Sequence, residues 1–384
     1  MARPDLAEVL ARFGAAYRAT HALPRGADKV WRAIAACRTP ALGGHVETCS
    51  CCGTTRHVYR SCRNRHCPRC QTRAKEAWIA ARRKEVLPVP YFHLVFTLPH
   101  DLNPVIAAAP RLLYENLFAA VSATLSAFAA DPRHLGGSPA FSLILHTWQQ
   151  DLSRHVHLHA LVAGGALSPE GAWRFPKKGF LFPVKALSRM FRGKFVAGLA
   201  SLVRDKRFPE WLDERAWHCL KTALRVHDWV VYAKSPLGGP MAVLEYLGRY
   251  THRVAISNER IIAIEEGNVL FRMRPQPESG TRRVGRIPGV TFIQRFLLHV
   301  LPAGFKRIRH YGLLSPARKK TALAAARAAL DVPPPDPDLV ESVAAFMGRI
   351  GRAVLLRCPH CGSPWQFAGI LPPTRSFSPC RGPP

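Results

Sequence analysis

The stretch His155-Val156-His157-Leu158-His159 opens the run HVHLHALVAGG, which covers residues 155–165. Side chains along a β-strand alternate between its two faces, so the three histidines share one face. The residues around them are apolar and β-prone, which predicts a strand buried in a central sheet. Two imidazoles on such a rigid strand can bind one divalent ion. The alternative, histidines in an ordinary hydrogen-bond network, gives the same spacing.

Two tyrosines form the second feature with chemical potential. Tyr246 and Tyr250 are four residues apart in MAVLEYLGRYTHRV, residues 241–254. The stretch has helical periodicity, so both phenols can share one face of a helix. Core packing of two aromatic rings would produce the same pattern. Arg249, His252 and Arg253 are close in sequence, however, and cations favour both phenolate and bound phosphate.

Together, the histidines and tyrosines predict transesterification on DNA. A metal ion held by the histidines would polarise a scissile phosphate, and a tyrosine oxygen would displace the 3′-OH to form a 5′-phosphotyrosine. Because one phosphodiester is exchanged for another, joining requires no nucleoside triphosphate. The sequence has no Walker A motif, in agreement with this expectation.

Cysteines are concentrated near the amino end, where seven of the 11 fall between residues 37 and 70. Their Cys-x-x-Cys spacing predicts a structural zinc site rather than a disulfide framework. The predicted zinc ligands are Cys49, Cys52, Cys67 and Cys70. Two further residues could replace one of these ligands, namely Cys62 and His66. Alternatively, those two could build a second site together with Cys37, His45 or Cys51.

The charge balance predicts a polyanionic partner. The chain has 55 Lys and Arg residues against 25 Asp and Glu residues, a formal net charge of +30. Aromatic residues such as Phe292 and Phe305 interleave with the basic ones, which suits stacking on unpaired bases. The candidate DNA-binding residues are Arg63, Arg65, Arg69, Arg249, Arg253, Lys306, Arg307 and Arg309.

The chain divides into three expected units. Residues 1–85 form a helical entry and a DNA-contacting zinc module, residues 90–320 form the catalytic core, and residues 330–384 form a proline-rich linker and a short tail. The tail contains half a zinc knuckle, Cys358 and Cys361, which Cys380 or His360 could complete. Its last 15 residues, ILPPTRSFSPCRGPP, are expected to be disordered.

Local patterns within the core predict an alternation of strands and helices. Strands are expected at YFHLVFTL, FSLILHTW and WVVYA, one or two helices over 105–130, further helices at 189–203 and 211–224, and a hairpin at RIIAIEEGNVLFRMR. No run reaches 18 apolar residues, and acidic residues near the amino end argue against a signal peptide. The expected location is therefore the cytoplasm, in association with the nucleoid, and no membrane partner is expected.

The chain resembles transposases of the insertion sequence 91 family, within the HUH (His-hydrophobe-His) superfamily of rolling-circle nucleases. The motifs that carry the resemblance span roughly residues 37–315. They are CRTPALGGHVETCSCCG, SCRNRHCPRCQ, YFHLVFTLPHDLN, LHTWQQDLSRH, HVHLHALV, EYLGRYTHRVAISNERI and LPAGFKRIRHYGLL. The resemblance implies an α+β fold with an HUH-type antiparallel sheet core and packed helices, preceded by a small zinc-binding module.

The resemblance also implies an activity and its residues. It implies rolling-circle transposition of an insertion sequence, with single-stranded DNA at the element ends and the target as substrate. Tyr246 and Tyr250 would alternate in cleavage and strand transfer. A Mg²⁺ or Mn²⁺ ion would be bound by His157, His159 and a third ligand. By its spacing that third ligand is Gln150, with His146 and Asp151 as competitors.

Two other functions use the same features. A plasmid relaxase or a replication initiator of the HUH class would perform the same chemistry. A non-catalytic, zinc-dependent DNA-binding protein would use only the basic surface and the zinc module, with the histidines and tyrosines as packing residues. A covalent protein–DNA adduct separates the catalytic functions from the binding function.

Overall fold

The computed structural model describes residues 3–177, 179, 181–208, 212–237, 242, 248, 255–275, 279–335 and 341–374. The α-helices are α1 (Leu6–Thr20), α2 (Arg25–Ala36), α3 (Gln71–Arg83), α4 (Asn103–Ala108), α5 (Pro110–Ala130), α6 (Val184–Arg204), α7 (Glu214–Val226), α8 (Gly289–Leu297), α9 (Lys319–Ala329) and α10 (Val343–Arg349). The strands are β1 (Gly44–Cys49), β2 (Thr55–Tyr59), β3 (Tyr91–Thr97), β4 (Ser138–Trp148), β5 (Arg154–Leu167), β6 (Trp173–Arg174), β7 (Val231–Leu237), β8 (Ile261–Glu265), β9 (Asn268–Met273), β10 (Arg283–Pro288), β11 (Ile308–Gly312) and β12 (Trp365–Leu371).

A six-stranded antiparallel sheet forms the centre of the fold. Its strand order is β11-β4-β5-β3-β7, and the short β6 pairs with β5. The HVHLHALVAGG run lies in β5, between β4 and β3. Because β5 is interior, its alternating residues are buried on both faces, as the sequence predicts. The mixed helix and antiparallel-sheet fold class is confirmed.

One face of this sheet packs against helices α5 and α6 in the largest hydrophobic core. Phe96 of β3, Phe141 of β4 and Leu158 of β5 meet Phe118 of α5 and Phe191 of α6, and all five side chains are fully buried. Burial of each such side chain contributes about 1.5–3 kcal/mol. These contacts hold β5 rigidly, so the histidines on its other face have fixed positions.

Helix α5 has the length and composition of a membrane span, with a mean hydropathy of 1.3. Over half of that stretch, 56%, is buried inside the protein. Its apolar surface is therefore explained by the core that it shares with the central sheet. The one or two helices predicted over 105–130 are two, α4 and α5, which are divided at Ala109, just before Pro110, because proline disfavours helical backbone in the residue that precedes it.

The opposite face of the sheet is partly apolar and partly lined by histidines. Ile144 of β4 and Leu161 of β5 pack with Leu323 and Ala326 of α9 in a smaller core. Further along the same strand face lie the histidines of β5. The sheet therefore places its polar residues at one end of a face that is otherwise packed.

A third core connects the amino-terminal helices to a β-meander. Leu10 of α1 and Trp31 of α2 pack with Phe271 of β9 and Phe292 of α8. The meander has the order β10-β9-β8 and includes the predicted hairpin. Its turn has positive φ at Glu266 (47°) and Gly267 (75°), as a two-residue turn between twisted strands requires. The hairpin prediction is confirmed, whereas β10 was not predicted.

The last sheet joins the two ends of the chain. It has the order β12-β1-β2, with β12 antiparallel to β1 in a register that pairs Cys49 with Trp365. The prediction of a disordered tail is therefore wrong for Ile370 and Leu371, which lie in β12. The hydrogen-bond partners of β12 come from a strand about 320 residues earlier in the chain, which local composition cannot reveal. Residues 375–384 lie outside the described residues.

Candidate active site and metal centres

Three buried histidines converge at one end of the central sheet. His157 and His159 project from β5, and His146 projects from β4, where the strand register places it directly opposite His157. The possible ligand atoms of the three residues lie within 4.8 Å of one another. We call this set, His146, His157 and His159, the histidine cluster.

The distances within the histidine cluster fit a shared metal ion. The His159 Nε2 lies 3.2 Å from the His157 Nε2 and 3.0 Å from the His146 Nδ1. A neutral imidazole nitrogen carries either one proton or one lone pair, so the His159 Nε2 cannot satisfy both neighbours. A bound cation removes this conflict. With metal–nitrogen bonds of about 2.1 Å, ligand atoms at right angles lie about 3.0 Å apart and tetrahedral ones about 3.4 Å apart.

Burial keeps these imidazoles neutral. Desolvation, assisted by the neighbouring His155, lowers the pKa of His157 to about 4. The pKa of His159 is lowered well below its usual value, again mainly by burial and then by His146 and His157. Neutral imidazole is the form that binds metal, so at neutral pH the ligands need not lose a proton first.

His93 of β3 contacts the His159 ring on the side that faces away from His146 and His157. Its Nε2 lies 2.8 Å from the His159 Nδ1, and the two rings stack with centroids 5.1 Å apart. The nitrogen of His159 that faces away from the cluster is therefore hydrogen bonded, which fixes the ring orientation and tautomer. Sequence reasoning missed His93. The sequence feature that could have identified His93 is the run YFHLVFT, in which a single histidine stands in an otherwise apolar strand.

The structure places His146, and not Gln150, with the two predicted ligands. Gln150 lies in the β4–β5 turn, beyond a bulge after His146, and its side-chain oxygen accepts a hydrogen bond from the Arg274 backbone N–H. Asp151 accepts hydrogen bonds from the backbone N–H and hydroxyl of Ser153 at 3.0 and 2.7 Å. The structure therefore brings the competitor His146, and not Gln150, next to His157 and His159, and the identity of the third ligand stays a prediction. A spacing counted along the chain cannot detect a register across two strands.

Arg274 is a second residue that sequence reasoning did not single out. It follows β9, is exposed, and its charge contributes to the lowered pKa values of both His157 and His159. A guanidinium beside the histidine cluster can contact a phosphate bound there. His155, predicted as a neighbour, lies 3.1 Å from His100 through their Nδ1 and Nε2 atoms.

The two predicted nucleophiles, Tyr246 and Tyr250, lie outside the described residues, as do Arg249 and Arg253. Gly248 between them is described, helical and buried. A Cβ added at Gly248 would lie 2.6 Å from Ile79 Cδ1 and 2.9 Å from Lys75 Cε, both on α3. Gly248 therefore allows a close approach to α3. The role of the tyrosines stays a prediction.

Within the part of the chain that the structure describes, eight cysteines form two clusters of four, and neither is the predicted one. The internal cluster contains Cys37, Cys62, Cys67 and Cys70; the terminal cluster contains Cys49, Cys52, Cys358 and Cys361. The predicted site of Cys49, Cys52, Cys67 and Cys70 is therefore divided between the two. The physical reason is the β1–β2 hairpin, which carries the first knuckle towards β12 while the second knuckle folds back onto Cys37 at the end of α2.

The sulfur separations fit zinc sites and not disulfides. They are 3.3 Å for Cys49–Cys361, 3.6 Å for Cys52–Cys358 and 3.7 Å for Cys62–Cys70. Zinc–sulfur bonds of about 2.3 Å in a tetrahedron place the sulfurs about 3.8 Å apart, whereas a disulfide requires about 2.05 Å. Hydrogen bonds from Ser363 and proximity to Cys49 lower the pKa of the Cys361 thiol to about 6, which favours the thiolate that zinc binds.

The other proposed zinc ligands have different partners. Cys62, an alternate, belongs to the internal cluster, but His66 does not. The His66 Nε2 accepts a hydrogen bond from the Leu301 backbone N–H, and burial lowers the pKa of His66 to about 3. His45 lies 3.1 Å from Glu47, and Cys51 is exposed and belongs to neither cluster.

The predicted DNA-binding residues differ in how accessible they are. Arg63 and Lys306 are exposed. Arg69 is held by Asp5, at 2.5 Å, and by the carbonyl oxygen of Cys37. Arg307 is buried, and this burial lowers its pKa to about 9. Two more are half-buried: Arg65, which donates to the Phe305 carbonyl oxygen, and Arg309, which lies over the Phe118 ring.

Comparison with known proteins finds similarity to transposases. The family model described as "Putative transposase" matches residues 140–322, and the model described as "Transposase zinc-binding domain" matches residues 9–98. The chain is 43% identical over 391 residues to the "Putative transposase y4qJ" of Sinorhizobium fredii (strain NBRC 101917 / NGR234), covering 97% of this chain and 98% of that protein. It is 26% identical over 347 residues to the "Transposase for insertion sequence element IS801" of Pseudomonas savastanoi pv. phaseolicola, covering 88% of this chain and 82% of that protein. No solved structure matches the chain.

Proposed function

This chain belongs to the insertion sequence 91 family of transposases, DNA-processing enzymes with a zinc-binding domain, and we propose that it nicks and rejoins single-stranded DNA by metal-assisted tyrosine transesterification. The product of each nick is a 5′-phosphotyrosine, and the repeated reaction drives rolling-circle transposition. The observation that carries this proposal is the histidine cluster, which joins the His157–His159 pair to a third buried imidazole.

The protein residues in this mechanism bind, orient and position. His146, His157 and His159 would hold the ion, and His93 keeps the His159 ring in its ligand orientation through the 2.8 Å contact. When bound there, a divalent ion would supply Lewis-acid polarisation of the scissile phosphate. Arg274 contacts a non-bridging phosphate oxygen and stabilises the negative charge that develops there.

Tyr246 and Tyr250 supply the attacking oxygens. One phenol attacks the phosphorus atom, the 3′-OH leaves with the proton, and the DNA 5′ end stays bonded to the tyrosine. In the joining step a 3′-OH attacks the phosphotyrosine, and the tyrosine oxygen leaves. Each step breaks one phosphodiester bond and forms another, so the exchange needs no nucleotide triphosphate. Two phenols allow one strand to stay attached while the second is cut.

The donor set of the cluster favours one of the two expected ions. First-row transition ions accept imidazole nitrogen, although Mn²⁺ is the weakest binder among them, whereas Mg²⁺ prefers oxygen ligands and retains several waters. With three nitrogen ligands from the protein, we expect Mn²⁺ to support cleavage at lower concentration than Mg²⁺ does.

The test is formation of a covalent adduct. Purified protein is incubated with labelled single-stranded DNA that carries the element ends, with Mn²⁺, Mg²⁺ or EDTA, and resolved on a denaturing gel. We expect a metal-dependent adduct that is lost in the Tyr246→Phe, Tyr250→Phe double variant and in His157→Ala. The matched controls are Tyr59→Phe in β2 and His227→Ala at the end of α7, neither of which belongs to the central sheet. Binding of DNA without an adduct in either metal would instead support a DNA-binding protein without catalysis.

A further inference from the structure

The terminal cluster joins residues from opposite ends of the chain. Cys49 ends β1 and Cys52 follows it, while Cys358 and Cys361 precede β12, about 300 residues later. The zinc-binding domain match ends at residue 98, so it accounts for only half of the cluster. We propose that the terminal cluster binds a second zinc ion, separate from the one in the internal cluster, and that this ion fastens the C-terminal segment 341–374 to the β1–β2 hairpin.

The geometry is that of two knuckles around one ion. Each half is a Cys-x-x-Cys, and three sulfur pairs that cross between the halves are 3.3–3.6 Å apart. The backbone N–H of Gly362 donates to the Cys358 carbonyl oxygen, at 2.9 Å, and that of Gly53 to the Cys49 carbonyl oxygen, at 3.3 Å. The two halves thus form equivalent tight turns. Four thiolates around one ion make a closed site, which is the structural type.

The C-terminal segment has almost no hydrophobic core of its own. Among residues 341–374, all of which are described, Cys358 is the one buried residue. Phe367 and Ile370 of β12 are 66% and 71% exposed. A small sheet with so little buried apolar surface needs an additional cross-link to be stable, and a structural metal ion commonly provides one. The terminal cluster therefore adds its one buried side chain to the backbone pairing between β12 and β1.

Weaker contacts set the position of the segment around the metal. The Arg56 guanidinium lies 4.2 Å from the Trp365 ring centroid and donates to the Leu355 carbonyl oxygen at 2.8 Å. Arg349 of α10 forms an ion pair with Glu76 of α3, in which the atoms are 2.5 Å apart. Exposed ion pairs and cation–π contacts contribute little individually, so they do not replace the metal.

The two cysteine clusters should differ in how easily they lose zinc. The internal cluster lies in the hydrophobic core of α1, α2 and α8, with Cys37, Cys62 and Cys67 buried. In the terminal cluster Cys52 and Cys361 are exposed. A chelator reaches the exposed ion first, so its removal would release the C-terminal segment while the rest of the protein stays folded.

The first experiment counts zinc ions in the full-length protein. We expect two zinc ions per chain by plasma mass spectrometry, and one in the Cys358→Ser, Cys361→Ser double variant. The matched control is Cys51→Ser, Cys219→Ser, which changes two exposed cysteines outside both clusters and should retain two. The proposal is overturned if the Cys358/Cys361 variant keeps the wild-type zinc content. It is also overturned if the wild type holds one ion that Cys52→Ser and Cys67→Ser each remove.

A second experiment tests the fastening without any substitution. A protease is used to cut the wild-type chain in the proline-rich region near residues 331–340, and the products are separated by size-exclusion chromatography. We expect the C-terminal fragment to elute with the main body in zinc and to separate from it after chelation. A fragment that separates in zinc, or one that stays bound after the loss of one ion, contradicts the proposal. Neither experiment depends on DNA cleavage, so a failure here is distinguishable from a failure of the transesterification proposal.

Discussion

Replacing His93 with phenylalanine removes the hydrogen bond behind the histidine cluster without changing any of its three members. His93 is 5% exposed, and its Nε2 contacts the His159 Nδ1 at 2.8 Å. Phenylalanine has a ring of similar size and can keep the stacked arrangement with His159, whose centroid is 5.1 Å away. The variant therefore separates the polar contact from the packing.

The expected effect on metal affinity follows from this buried contact. Loss of a partner for a buried polar group costs about 1–3 kcal/mol. The lost hydrogen bond raises the free energy of the His159 ring orientation that binds metal. The affinity for metal therefore decreases about 10- to 100-fold, because each tenfold change corresponds to about 1.4 kcal/mol. The ring of His159 would then be free to rotate or change tautomer, so that its Nε2 lone pair would face the metal for only part of the time.

The assay is Mn²⁺ binding by isothermal titration calorimetry, with electron paramagnetic resonance as a second readout. His93→Gln serves as the conservative variant, because its amide can still reach the His159 Nδ1, and it should recover part of the affinity. Thermal unfolding of the metal-free proteins checks that both variants are folded. Equal Mn²⁺ affinity in the wild type and in folded His93→Phe would refute the positioning role. Loss of affinity in both variants to the same extent would show that the glutamine amide does not replace the imidazole, so that a hydrogen bond to the His159 Nδ1 is not sufficient by itself.

Three further predictions concern the third ligand, the phosphate contact and pH. His146→Ala should abolish Mn²⁺ binding measured by calorimetry, whereas Gln150→Ala should bind Mn²⁺ within about threefold of wild type; the reverse order would restore Gln150 as the ligand. Arg274→Gln should lower the rate of covalent adduct formation about 10²-fold or more at saturating DNA while Mn²⁺ affinity stays unchanged, and an unchanged rate would remove Arg274 from the site. Burial lowers the pKa of His299 from 6.5 to about 4, so the unfolded state binds a proton first as the pH falls. The free energy of unfolding, from urea titrations, should therefore decrease between pH 7 and pH 5, by about 2 kcal/mol from this one group. His299→Gln should show a smaller decrease, and an identical pH dependence in the variant would contradict the assignment.

Much of the fold was predictable from local sequence. The alternation in β5, the apolar strand β3 and the hairpin of β8 and β9 were all predicted, because strand periodicity and turn residues act over a few positions. The same alternation showed that His155, His157 and His159 share a face. A motif of two or three residues on one strand needs no information from elsewhere in the chain.

The sites that combine several elements were predicted less well. His93 and His146 join the histidine cluster because β3 and β4 flank β5 in a particular register. Spacing along the chain favoured Gln150, but a bulge after His146 and a tight turn take Gln150 to Arg274 instead. Cysteine spacing likewise identified the knuckles at Cys49 and Cys67 but not how they pair.

The sequence by itself determined the types of element, the face of β5 that carries the histidines, the presence of zinc knuckles and the family. Only the tertiary structure decided which strands are neighbours, and hence that His146 completes the histidine cluster and that the C-terminal knuckle completes the N-terminal one. The physical reason is that local backbone preferences act within a few residues. Metal sites require side chains at separations of 3–4 Å, which sheet register and chain folding establish between residues that are distant in sequence.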